Sequence, residues 1–118
     1  MDRSWQIFGT AIVLLLAFDM PWLFLIGETA QKLIMRIQGS ELKLRYVPAL
    51  IVYVALAYLV MKAETPMEAF KMGVAVYAVY DFTNYAMFKN YTLSFAILDS
   101  LWGGILMALV RYALDRIF

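Results

Sequence analysis

The chain has 118 residues, 64% of them hydrophobic and only 16% charged, with a mean hydropathy of +0.74, which excludes an ordinary soluble domain and makes a bilayer the first solvent to consider. Lys+Arg number 10 against 9 Asp+Glu, a formal net charge of +1, so there is no basic field for nucleic acid and no nucleic-acid partner is expected. Cysteine and histidine are both absent, which removes disulfides, thiol nucleophiles, thiolate or imidazole metal sites and the Ser-His-Asp triad, and leaves carboxylate, hydroxyl, amide and aromatic chemistry.

A bilayer core about 30 Å thick takes about 20 mostly apolar residues per helix. Four windows of the chain fit, at about residues 4–26, 44–61, 67–88 and 93–114. They predict an all-α, multi-pass membrane protein, four transmembrane helices in an antiparallel bundle, forming one domain over residues 1–118. The first window follows Arg3 but is long, holds Asp19 and lacks a small-residue cleavage site, so it reads as a retained span rather than a signal peptide. After it, Glu28 to Gln38 sets Leu33, Ile34 and Ile37 apart from Lys32 and Arg36, and Gly39-Ser40 stops the run. That segment is either an interfacial amphipathic helix or the end of a long, tilted first helix. Thr65-Pro66-Met67-Glu68 is a capping box with proline at the first helical position, opening the third helix. Lys89-Asn90-Tyr91-Thr92 is short enough to fold the third and fourth helices into a hairpin. Arg3, Lys62, Lys71, Arg111 and Arg116 fall on the side of the termini, and equal numbers (Lys32, Arg36, Lys43, Arg45 and Lys89) fall on the other. The basic cluster after the first span favours both termini outside, and the even division is also compatible with dual topology.

The acids inside the spans carry the chemical signal. An aspartate at the centre of a membrane helix costs about 2.5–3.5 kcal/mol on the insertion scale, so Asp19, Asp81 and Asp99 are expected to face inward. At 1.5 Å per residue each lies about 20 Å from the side of the termini, in one layer. Phe18-Asp19-Met20-Pro21-Trp22 and Leu98-Asp99-Ser100-Leu101-Trp102 both read apolar-Asp-x-x-Trp, on helices of opposite direction, which hints at an inverted pair. Trp22 and Trp102 share a face with their aspartates and are expected to point axially away from the acid layer, Trp22 also fitting an interfacial anchor. Tyr77, Asp81, Asn84 and Phe88 form a polar stripe on the third helix, flanked by Tyr80 and Tyr85. Pro21 is expected to break the first helix and free the Ala17 carbonyl beside Asp19, a known way of making cation sites. Ala96, Ser100, Gly104 and Ala108 make a small-residue stripe suited to close helix packing. No lysine or arginine is expected in the acid layer. The acids must then share protons, hold a cation or meet a cationic substrate, unless neutral aspartates bonded to Asn84 or a tyrosine simply hold the helices together.

Asp19-Met20-Pro21-Trp22, Tyr80-Asp81-Phe82-Thr83-Asn84-Tyr85-Ala86 and Asp99-Ser100-Leu101-Trp102-Gly103 together resemble a family of small four-span membrane proteins known only as domain of unknown function 2177. The resemblance spans nearly the whole chain, and its most specific part is the Tyr-Asp-x-Thr-Asn motif of the third helix; where members usually carry Trp-Pro after that helix, this chain has Tyr91-Thr92. The resemblance implies that the motif residues matter together and supplies no activity.

Read from the residues, the first expectation is a small proton- or cation-coupled transporter or channel-like protein. Its ion- or substrate-binding groups would be Asp19, Asp81, Asn84 and Asp99, with Trp22, Trp102, Tyr77 and Tyr80 as aromatic neighbours able to meet an organic cation. No cofactor is expected beyond a bound cation or proton, and the partners expected are the lipid bilayer and either further copies of the chain or a larger membrane complex. The alternatives are an accessory subunit of such a complex and a lipid-active enzyme using paired carboxylates; no nucleophile motif or phosphate-binding loop accompanies the acids, so enzyme activity is not expected.

Overall fold

The structure, a computed structural model, describes residues 3–118. Each helix boundary has a local chemical cause. The first helix, α1 (Arg3–Gln38), runs unbroken for 36 residues. It stops where Gly39 takes a positive φ of 75°, a conformation that costs a residue without Cβ nothing, and donates its N–H to the Met35 carbonyl at 2.9 Å. Gln38 pins the turn by donating its side-chain amide to the Ser40 and Glu41 carbonyls at 3.0 and 2.9 Å. Residues 28–38 therefore continue the first helix and are not a separate interfacial one. The expected break at Pro21 is likewise absent: the proline removes one backbone bond, and the helix continues through it. A straight helix of this length would measure about 54 Å. The longest dimension of the molecule is 46 Å, so α1 cannot run straight along that axis.

An extended segment, residues 41–45, leads into α2 (Tyr46–Lys62), which is apolar along almost all of its 17 residues. The capping box opens α3 (Pro66–Met87) as expected, with Thr65 Oγ1 accepting from the Glu68 N–H at 3.1 Å; the Glu68 carboxylate reaches back to the N–H of Glu64 at 3.4 Å. Thr92 caps α4 (Leu93–Ile117) in the same way through the Phe95 N–H at 3.3 Å. The fold is all-helical, with no strand among the described residues. By length and composition α1 and α4 are candidate membrane spans; α2 is apolar but shorter, and α3 is diluted by the polar residues of its stripe. The four spans expected from the sequence thus become four helices, of which two are clear candidates to cross a membrane.

α4 is the central helix, packed against α1, α2 and α3, while α1 and α3 flank it without close backbone approach to each other. The α3–α4 contact is the tightest. A Cβ built on Gly73 would lie 2.2 Å from the Gly103 carbonyl oxygen, and one built on Gly103 would lie 2.2 Å from Cγ of Tyr77. Ala96, Ser100 and Gly104 of the small-residue stripe are buried and Ala108 is half-buried, but the closest approach is made by Gly73 and Gly103, which lie outside that stripe. Leu15, Val60, Leu106, Met107, Val110 and Leu114 fill the half of the bundle nearer the termini. Arg111 closes that end, donating to the Val60 and Ala63 carbonyls at 3.2 and 3.4 Å while pairing with Asp115 at 2.9 Å. At the opposite end the extension of α1 lies over the α3–α4 hairpin: Leu33 packs with Tyr91 and Ala96, and the Asn90 side chain donates to the Arg36 carbonyl at 3.0 Å.

This packing predicts that Gly73→Ala, which forces the two backbones apart, lowers stability by about 1–3 kcal/mol in unfolding titrations of the micelle-bound protein. Gly9→Ala, which meets nothing within 4 Å, should leave it unchanged or raise it by up to about 1 kcal/mol through helix propensity.

Candidate functional site

Each of the three aspartates is met by donors from other elements. Asp19 on α1, 5% exposed, accepts the indole N–H of Trp102 at 2.7 Å on Oδ1 and the Tyr53 hydroxyl at 2.5 Å on Oδ2. Asp81 on α3 is wholly buried and accepts the Tyr91 hydroxyl at 2.7 Å on Oδ1 and the Ser100 hydroxyl at 3.5 Å on Oδ2. Asp99 on α4 is half-buried and accepts the indole N–H of Trp22 at 3.2 Å. Ser100 adjoins Asp99 on α4, so its bond to Asp81 brings the two aspartates to neighbouring positions across the α3–α4 contact. Like charges so placed away from water disfavour ionisation of both groups together.

The two Asp-x-x-Trp elements explain the exchange between α1 and α4. Residues three apart lie on one helical face about a turn apart. Where two such faces meet antiparallel, the aspartate of each lies opposite the tryptophan of the other. Trp22 thus bonds Asp99, Trp102 bonds Asp19, and the two indoles stack at a centroid distance of 5.3 Å and an interplanar angle of 13°. The expected axial divergence of the indoles from the acid layer is overturned, and Trp22 is no interfacial anchor: the indole N–H groups are used inside the layer, where a buried carboxylate offers the strongest acceptor.

Tyr77 is half-buried with its ring against Gly103. Asn84 is half-buried beside Tyr91 and lines a crevice of about 360 Å³ between the extension of α1, the end of α3 and the start of α4. Asp99, Tyr80, Phe88 and Phe95 line the same crevice. Tyr80 is 65% exposed and stands on the crevice wall, apart from the hydrogen-bonded cluster. Pro21 leaves α1 continuous, so the carbonyl it leaves without a helical donor near Asp19 belongs to an unbroken helix.

Three further residues hold the cluster: Tyr53, Ser100 and Tyr91. Tyr53 is the phenol on α2 that lies level with Asp19, and Tyr91 reaches Asp81 from the hairpin turn. Burial, and then the Asp81 carboxylate it bonds, hold the Tyr91 hydroxyl above the usual phenol range, so it remains a donor. The ion pairs among the described residues, Lys32–Glu28 and Arg111–Asp115, involve none of the three aspartates. No buried side-chain nitrogen or oxygen among the described residues lacks a partner, and the acids do not converge as a metal-ligand set.

An apolar all-helical chain with carboxyl groups bonded across its helices is a membrane protein in class. It belongs to the family described as predicted membrane protein (DUF2177), which it matches over residues 5–114 and whose function is unknown. No curated protein and no solved structure matches the chain.

Removing either indole donor leaves a carboxyl oxygen of a buried (Asp19) or half-buried (Asp99) aspartate without that bond, so Trp22→Phe and Trp102→Phe should each cost about 1–3 kcal/mol in unfolding measurements, with the larger loss at Trp102. Because the rings also stack, a double-mutant cycle on the pair should return a coupling of at least about 0.5 kcal/mol; strict additivity would contradict the exchanged arrangement.

Proposed function

We propose that all four helices cross the bilayer and that the Asp81–Asp99 pair takes up and releases a proton, making the chain a small proton-coupled transporter or channel-like protein. The observation that supports this reading best is the unequal burial of two neighbouring carboxyl groups. Asp81 is sealed, while Asp99 is half-buried and lines the crevice with Asn84. The crevice leads towards the hairpin side, and the opposite half of the bundle is closed by the apolar core around Leu15, Leu106 and Met107. That crevice is the route we assign to proton exchange at Asp99.

The donor set favours a proton over a metal ion as the exchanged species. Two indole N–H groups, two phenols and a serine hydroxyl aim hydrogens at the carboxyl oxygens, and a hard cation would have to displace those hydrogens to use the same lone pairs. Four short helices enclose little space, so the pathway for a second solute would run between copies of the chain. A second reading, an accessory subunit of a larger membrane complex, is favoured by the completeness of the hydrogen bonding, which suits a rigid structural layer. It predicts stoichiometric co-purification of a larger assembly in mild detergent.

The first reading is tested by proton flux into vesicles reconstituted with the chain and loaded with a pH-sensitive dye. Asp81→Asn and Asp99→Asn should each reduce protein-dependent flux by at least about tenfold, the loss of one proton-transfer group. Flux that survives both substitutions unchanged contradicts it.

A further inference from the structure

A second feature lies away from the carboxyl cluster. α1, the extended segment 41–45 and α2 enclose an apolar groove of about 960 Å³. Its α1 wall runs from Leu16 to Ile26, and its α2 wall from Tyr53 to Tyr46. Ten residues of helix rise about 15 Å, which is half of the roughly 30 Å hydrocarbon core, so the groove is one leaflet deep. At the level of Ile26 the lining changes character: Glu28, Gln31 and Lys32 form the rim. We infer that this groove holds one acyl chain of a glycerophospholipid whose anionic headgroup lies at the Lys32 rim.

The extended segment is built for that occupant. Successive side chains of an extended strand point to opposite faces. Leu42 and Leu44 line the groove, whereas Glu41, Lys43 and Arg45 are not among its lining residues. The two leucines remain 43% and 64% exposed within the protein alone, an apolar surface that a hydrocarbon chain covers at no polar cost. Charge favours an anionic headgroup. Between residues 28 and 45 the basic groups Lys32, Arg36, Lys43 and Arg45 outnumber Glu28 and Glu41. Lys32 is already paired with Glu28 at 3.3 Å, but both side chains are largely exposed, so the pair is weak enough for a phosphate to share the ammonium. A free anion would satisfy the rim and leave the groove uncovered; a phospholipid satisfies both.

The full chain, reconstituted in vesicles of phosphatidylethanolamine and phosphatidylglycerol and extracted in mild detergent, provides the test by native mass spectrometry. The expected result is one retained phospholipid per chain with phosphatidylglycerol preferred. Leu23→Trp and Leu50→Trp, both at exposed positions of the groove walls, should fill it and lower retention by about tenfold, while Val79→Trp on the outer face of α3 should not. Lys32→Glu should remove the preference for phosphatidylglycerol. Retention indifferent to both groove-filling variants overturns the site. So does a wild-type dimer that either variant dissociates, which would put a second copy of the chain in the groove. A preference unchanged by Lys32→Glu overturns the headgroup assignment.

Discussion

Three carboxyl groups stand at one level of an apolar helical bundle, and a carboxyl group away from water must be given hydrogen-bond donors or a proton. That requirement recruits every element of the fold. α1 supplies Asp19 and Trp22, α2 supplies Tyr53, α3 supplies Asp81, the hairpin turn supplies Tyr91, and α4 supplies Asp99, Ser100 and Trp102. Shifting any helix along its axis by one turn, about 5.4 Å, would break at least one of these bonds. The layer therefore sets the axial register of the whole bundle.

Register needs a separate device in this setting, because lipid tails are as apolar as leucine and give helices no hydrophobic reason to associate. Two devices remain, and both are used. The close approach of Gly73 to Gly103 brings the α3 and α4 backbones together and fixes the separation of Asp81 from its partners on α4. The indole exchange does the same between α1 and α4, where no glycine contact exists, using long side chains to span a wider gap. α4 is central because it takes part in both.

Much of this was legible in the sequence where a local rule decides the outcome. Thr65-Pro66 and Gly39 mark helix ends because capping and positive φ are properties of a few consecutive residues. The shared level of Asp19, Asp81 and Asp99 follows from counting residues along helices of known rise. What a single helix cannot show is its neighbour. The Asp-x-x-Trp repeat is visible, but the destination of each indole depends on which face of which helix stands opposite, and the sequence-based reading sent both away from the acids. The roles of Tyr53 and Tyr91 are illegible in the sequence for the same reason: a phenol on an apolar helix or in a turn becomes a carboxyl partner only once packing brings the acid to it. Pro21 misled in the other direction, since a single missing backbone bond does not end a helix that its neighbours support. The four apolar windows all became helices, but length and hydropathy mark only α1 and α4 clearly as spans, because α3 spends its polar residues on the site.

The proposed proton shared by Asp81 and Asp99, with the other carboxyl oxygens held by fixed donors, has a direct spectroscopic signature. Infrared spectroscopy of the protein in lipid at neutral pH tests it most directly, because a protonated carboxyl group and an ionised one absorb in separate regions. A shared proton gives a protonated-carboxyl band in the unmodified chain that moves or disappears on Asp81→Asn and on Asp99→Asn alike, since each removes one half of the same hydrogen bond. A spectrum with ionised carboxylates only, or a protonated band indifferent to both substitutions, would contradict it.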